Sequence, residues 1–349
     1  MSDSRRSRAG ARRKRRRWAS MSDDELLDQR LCDLDLELDE SPLRGRLDRL
    51  ADELAERGLR FRPYAWLSTD WFTPDRSNGF AVPFYLAHPR LQRLEHRLML
   101  EVEGGTQDWC MRIMRHEAAH AIDNAYRLHW KKSWREVFGR FSQNYDAAYS
   151  PDPMSREYVQ NLPYWYAQSH PAEDWAETFA VWLASGNRWR KRYVGWPALE
   201  KLEYVDELMR TIADQPVARR TRAVDEPLRS VRMTLREYYE RKQAHYSDES
   251  RPAFDGQLRR LFTVDAHDRR PTAASFLRKH RSRLVRHVSA VTGQTAYLVD
   301  HVIVEMARRG RTLGLHLKSS SSDTLLDVGI MVTALTMQFL HGGHPRYHR

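Results

Sequence analysis

The chain has 349 residues, 58 Lys and Arg against 47 Asp and Glu, with 41% hydrophobic and 11% aromatic residues, enough apolar material for a sizeable core. A charged fraction of 30% and a mean hydropathy of −0.74 argue against membrane spans, and the longest apolar run, Leu325–Leu340, carries Asp327 and falls short of the roughly 20 residues a span needs. Two cysteines, Cys32 and Cys110, exclude a disulfide framework and a cysteine zinc cluster and set a reducing cytoplasm as the expected location.

The net charge of +11 is unevenly spread. Residues 1–20 carry +8, residues 21–58 carry −8, residues 59–216 are neutral and residues 217–349 carry +11. An acidic partner would therefore meet the tail or the C-terminal third rather than the middle of the chain. Residues 1–20 hold almost nothing apolar and are expected to be a disordered basic tail, and with no apolar run behind them they do not form a secretory or twin-arginine signal.

Residues 21–58 form an acidic segment in which Leu31, Leu34, Leu36 and Leu38 alternate with cysteine or acids, as a short edge strand or a mobile segment. A helix follows over Arg44–Arg57, with Leu43, Leu47, Leu50 and Leu54 on one face and Gly58 as its stop. Arg60–Ser68 and Phe80–Leu86 read as strands separated by a Pro-Asp-Arg-Ser-Asn-Gly turn, and Pro83 places the second on an edge or at a bulge. Helices are predicted at Pro89–Met99, Thr106–Leu128, Pro171–Ser185 and Pro197–Asp214. Gln215–Asp225 reads as a linker, and further helices follow at Leu228–His245, Ala274–Val291, Gln294–Arg309 and Asp323–Leu340. The fold class is α+β and helix-dominated: a small N-terminal sheet and an active-site helix within residues 59–215, then a basic, mostly helical region over 216–349.

Residues 116–120 read His-Glu-Ala-Ala-His. Histidines four apart lie one turn apart on one helix face, so their rings can converge on one ion, and Glu117 between them can act as general base toward a water at that ion. The context fits, because Cys110, Met114, Ala118, Ala121, Ala125 and Leu128 form an apolar back while Ile113, His116, His120 and Asp123 fall on another face. Catalytic zinc takes three protein ligands plus water, so a third ligand is needed. Glu173 and Glu177, four apart on an otherwise apolar helix started by Pro171, supply one ligand and one acceptor for a ligand histidine. His170, just before that helix, is read as a cap or loop residue, with substrate contact as the alternative.

His116–Asp123 and Glu173–Ala180 together resemble gluzincin metallopeptidases, above all the catalytic domain of anthrax lethal factor and bacterial zinc-binding metallopeptidases. The resemblance covers roughly residues 60–215. It implies a zincin-like catalytic domain with His116, His120 and Glu173 as ligands of one Zn2+ ion, Glu117 as the base, and Glu177 and Asp123 behind the ligands. It also implies that Tyr166, seven residues before Glu173, donates a hydrogen bond to the oxyanion. Proteins of this type offer an edge strand to substrate backbone, and Phe80–Leu86 is the candidate, with an ordinary core strand as the equal alternative.

The expected function is a zinc metallopeptidase, a hydrolase acting on a peptide or protein substrate. One alternative is a basic nucleic-acid-associated protein with a structural or vestigial metal site. Another is a zinc amidohydrolase acting on a non-peptide amide.

Overall fold

The computed structural model describes residues 16–145, 151–152, 154–184, 186–247, 255–264 and 270–341. In its first half, helices α1 (Asp23–Leu27) and α2 (Leu43–Glu56) precede strands β1 (Tyr64–Ser68) and β2 (Gly79–Pro83), and α3 (Pro89–Met99), α4 (Gln107–Tyr126) and α5 (Lys132–Phe138) follow. Helices α6 (Pro171–Ala184), α7 (Arg188–Arg192), α8 (Ala198–Ile212) and α9 (Leu235–Ser247) complete this part. The last part holds α10 (Asp255–Leu261), β3 (Phe262–Thr263), α11 (Ala273–Thr292), α12 (Ala296–Thr312), β4 (His316–Leu317) and α13 (Ser321–His341). The architecture is helix-dominated with a small sheet. Among the described residues, no helix is long and apolar enough to cross a membrane.

Two apolar cores form. The first runs from Trp18 to Tyr239 and takes in residues on both sides of the boundaries expected at 58 and 215. The second joins α10 to α13, from Leu258 to Leu335. Tyr297 of α12 packs on the first core, and the Ala296 amide donates to Glu101 Oε2 at 3.3 Å, so the two parts touch.

The expected disorder of residues 1–20 does not extend to Arg16–Ser20. Arg17–Ser20 form a 3-10 turn in which Trp18 is buried, its indole N–H donating to Leu34 O at 2.8 Å, and Arg16 pairs with Glu40 at 3.0 Å. One large aromatic among the arginines is enough to anchor the segment, because its burial outweighs the charges that stay in water. The rest of the expected tail, residues 1–15, lies outside the described residues. Leu31–Leu38 is neither strand nor mobile. Leu31–Leu34 and Leu38–Glu40 are 3-10 turns, Leu31 and Leu34 are fully buried, and backbone bonds from Leu31 N to Met233 O and Cys32 N to Val231 O tie the segment down, both at 3.0 Å. A spacing of three puts both leucines on one side of a three-residue turn.

β1 and β2 pair in parallel, Tyr64 opposite Gly79 through Ser68 opposite Pro83. β2 is buried at every residue, and Phe84–Ala87 leave it as a 3-10 turn. The Ala81 N–H donates to Phe72 O at 2.8 Å on the side away from β1. The strand is therefore a core strand and offers no bare edge here for substrate, because Phe72 occupies that side. Backbone N–H groups alternate along a strand, so the Val82 N–H faces β1. Val82→Pro is expected to strand a buried carbonyl at about 1–3 kcal/mol and to lower Tm by roughly 1–4 °C. A thermal melt with an unchanged midpoint would contradict the buried register.

Candidate metal centre

Two helices carry the site, and each is held at its start by a side chain. Thr106 Oγ1 accepts from the Trp109 amide at 3.2 Å to open α4, and Arg127 in the left-handed region, φ 54°, closes it. His170 Nδ1 accepts from the Ala172 amide at 3.1 Å to open α6, and its Nε2 meets Gln143 O at 2.8 Å. The predicted cap role is thus what His170 performs. The apolar back of α4, from Cys110 to Ala125, is buried and α6 packs along the helix, with the Trp175 indole donating to Ala119 O at 3.1 Å.

α6 is buried from Pro171 to Leu183, so its three carboxylates must be accounted for. Glu177 is saturated. Its Oε1 accepts from His116 Nδ1 and Asn161 Nδ2, both at 2.8 Å, and its Oε2 accepts from the Leu162 amide at 2.7 Å. Asp174 Oδ2 meets Lys201 Nζ at 2.6 Å; burial nevertheless pushes its carboxyl up to about 6. Glu173 Oε1 accepts from the Tyr145 hydroxyl at 2.7 Å, and that ring stacks on His170 at 3.8 Å. Glu173 Oε2 accepts from neither hydroxyl nor amide and instead faces two imidazoles.

That convergence is the centre of the site. Glu173 Oε2 lies 3.0 Å from His116 Nε2 and 3.4 Å from His120 Nε2, and the two nitrogens are 3.1 Å apart. A tetrahedral zinc with bonds of about 2.0–2.1 Å separates its ligands by roughly 3.3 Å, so the three atoms have the spacing of one tetrahedral face. The proton positions agree. The Glu177 carboxylate accepts its bonds, so His116 Nδ1 carries the hydrogen and Nε2 presents a lone pair. The surrounding groups favour positive charge here, which without a bound cation is a second proton on the histidines. Burial disfavours charge on Glu173, but the two imidazoles outweigh it and hold the carboxyl well below its usual range. Burial likewise opposes the His116 cation, yet hydrogen bonds to Glu173 and Glu177 raise it well above the ordinary value. The cluster therefore favours positive charge between its buried groups, and a metal cation held by the same three atoms would supply it in place of the proton.

The other predicted residues surround this triangle. Glu117 is buried on α4, with Thr73 Oγ1 donating to its Oε2 at 2.8 Å. Tyr166 sits on the 3-10 segment Pro163–Gln168, its ring 5.6 Å from that of His116, next to Trp165 in the left-handed region at φ 52°. Asp123 is the exception. Its two oxygens take the His129 amide and Nδ1, both at 2.7 Å, rather than a ligand ring. It pins the chain after α4, where His129 stacks on Phe141 at 4.1 Å, on the way to Tyr145. The reason is the helix turn: Asp123 lies close to the C-terminus of α4 and meets the residues that leave it.

Sequence reading missed Tyr145, Asn161, Thr73 and Lys201. All four reach the site from other segments, and no spacing relative to His116 or Glu173 marks them.

Residues 110–190 match the family described as "Putative zinc-binding metallo-peptidase". At the coarse level the chain is thus similar to a zinc metallopeptidase, and the matched stretch holds the three converging side chains along with Glu117, Tyr145, Asn161, Tyr166 and Glu177. The curated proteins and the solved structures yield no match.

Glu177→Gln is expected to lower zinc affinity by about 10–100-fold, because the amide no longer accepts from His116 with a full charge and the ring loses its orientation. Competition with a chelator of known affinity measures it. An unchanged Kd would show that Glu177 serves only the loop at Asn161.

Proposed function

We propose that the protein is a zinc-dependent metallopeptidase that cleaves amide bonds in peptides, with His116, His120 and Glu173 holding one zinc ion. The observation that carries the reading is the count of ligands: among the described residues the group holds three ligand side chains and no fourth, with a buried glutamate beside it. A structural zinc fills its fourth position from the protein and has no use for such a glutamate. A zinc ion at this place supplies Lewis acidity, making water nucleophilic near neutral pH and polarising a carbonyl.

The residues of the chain do the rest. Thr73 fixes Oε2 of Glu117, which leaves Oε1 to take the proton from the attacking water and pass it to the leaving amine. Tyr166 donates a hydrogen bond to the carbonyl oxygen as it gains charge. Glu177 keeps His116 in the tautomer that presents Nε2, and Tyr145 holds Oε1 of Glu173 so that Oε2 is left facing the two histidine nitrogens, where it would serve as a ligand. These roles are those of a gluzincin, and the order His116, Glu117, His120, Tyr166, Glu173, Glu177 supports the finer likeness to the lethal factor catalytic domain.

The test is hydrolysis of a peptide library by the purified chain. Cleavage lost with chelator and regained with zinc is expected. Zinc-dependent hydrolysis of small non-peptide amides with every peptide left intact would overturn the substrate class.

A further inference from the structure

The second core turns one helix face outward with a uniform charge. α11 contains no acidic residue, and its inner side, including Phe276, Leu277, Leu284 and Val288, is buried in the second core. Its outer side is exposed along its whole length. Ser275, Lys279, Ser282, Arg286 and Ala290 run down the middle of that side at spacings of four, three, four and four, with Arg278 and Arg283 on its flanks. The four cations span about 12 Å of helix axis.

Nearby arginines are neutralised. Arg281 pairs with Asp300, Arg308 with Glu305 at 2.9 Å, and Arg309 with Asp255 at 2.5 Å. Among the described residues no carboxylate pairs with Arg278, Lys279, Arg283 or Arg286. The field is felt on the same helix: partial burial, then the charges of Lys279 and Arg283, hold the His280 imidazole below its ordinary value. Ser275, Ser282 and Ala290 in the middle of that side are small, and two of them carry hydroxyls, so none of the three keeps a phosphate chain at a distance.

We propose that the outer face of α11, through Arg278, Lys279, Arg283 and Arg286, docks the phosphate backbone of double-stranded nucleic acid. The occupant follows from what the face lacks. It carries no exposed phenyl, phenol or indole ring on which single-stranded bases would stack, the exposed ring of this helix being the imidazole of His287. Its apolar side is already spent in the core, so the helix cannot lie in a bilayer interface. No large apolar anchor stands among the cations, as the centre of a protein interface would require. Arginine-rich cations beside the Ser275 and Ser282 hydroxyls suit phosphate oxygens, contacts that position a duplex without reading its base sequence. The surface lies outside the metal centre and stands whether or not that centre is a peptidase.

Fluorescence anisotropy of a labelled 20-base-pair duplex, titrated with the full chain at several salt concentrations, tests it. Replacing all four cations with glutamine is expected to weaken binding on the order of 100-fold near 0.1 M salt and to reduce the slope of log affinity against log salt by about 3.6. The corresponding lysine variant, Arg278→Lys with Arg283→Lys and Arg286→Lys, is expected to keep both, since phosphate contacts depend on charge. Should the quadruple variant melt early, the single reversal Arg286→Glu carries the test at unchanged Tm. A second control replaces the tail arginines Arg12, Arg13, Arg15, Arg16 and Arg17 with glutamine. Unchanged affinity in the α11 variants, or a loss confined to the tail variant, overturns the proposal. So does binding to anionic phosphatidylserine vesicles that matches duplex binding in strength and in its loss on substitution.

Discussion

Glu117→Gln is expected to keep its zinc and its fold while turnover falls by about 10²–10⁴-fold, or roughly 3–5 kcal/mol of barrier. The substitution is nearly isosteric. The amide oxygen can still accept from Thr73 Oγ1, which donates to Glu117 Oε2 at 2.8 Å, so the side chain stays where it is. What it loses is the ability to take a proton. The ligand set of His116, His120 and Glu173 is untouched, so zinc stoichiometry should be one in both proteins. The loss should appear in kcat and kcat/KM alike, because a base acts in the transition state and not in substrate binding. Steady-state kinetics on a cleaved peptide, beside metal analysis of the same samples, separates the two. Turnover within tenfold of wild type at full zinc occupancy would remove Glu117 from the chemistry.

The ligand substitutions reverse that pattern. His116→Ala and Glu173→Ala are each expected to weaken zinc binding on the order of 10³-fold and to abolish activity with it. Neither should unfold the apo protein. After His116→Ala, Glu177 still accepts from Asn161 Nδ2 and the Leu162 amide. After Glu173→Ala, a buried carboxylate that faced two imidazoles is gone, and Asp174 remains held by Lys201 at 2.6 Å. The apo melting temperatures should therefore stay close to wild type. The difference appears on adding zinc. At a thousandfold excess over Kd a bound ion stabilises the native state by about 4 kcal/mol, which in a chain of this size raises Tm by roughly 5–6 °C. Wild type should show that rise and both variants should not. A Glu173→Ala protein that keeps both stoichiometric zinc and the full rise would show that another carboxylate is the third ligand.

Much of this centre was legible from helix periodicity. His116, His120, Glu173 and Glu177 lie at spacings of four, and each pair sits on a helix whose apolar stripe fixes which side faces in. The ends of α3 and the middle of α4 and α6 follow from the same signal. What stayed hidden depends on contacts between distant segments. Trp18 reaches Leu34, Thr73 reaches Glu117, Tyr145 reaches Glu173 and Asn161 reaches Glu177, all from turns or loops where no period exists to read. The Leu31–Leu38 alternation misled for a related reason, since leucines three apart suit a 3-10 turn as well as leucines two apart suit a strand. Asp123 shares a face with the ligands, but its position near the helix end gives it to His129 instead. Pro83 was read as the sign of an edge or a bulge inside a strand reaching Leu86, whereas β2 ends at it, and no local pattern places Phe72 beside Ala81.

The most direct measurement is zinc X-ray absorption on the wild-type chain loaded with one equivalent. The site described here predicts two imidazole nitrogens at about 2.0–2.1 Å with their multiple-scattering signature, two oxygens at about 2.0–2.2 Å from Glu173 and one water, and no sulfur. A sulfur shell near 2.3 Å, or a first shell made of four protein ligands with no exchangeable oxygen, would contradict a three-ligand centre open to substrate.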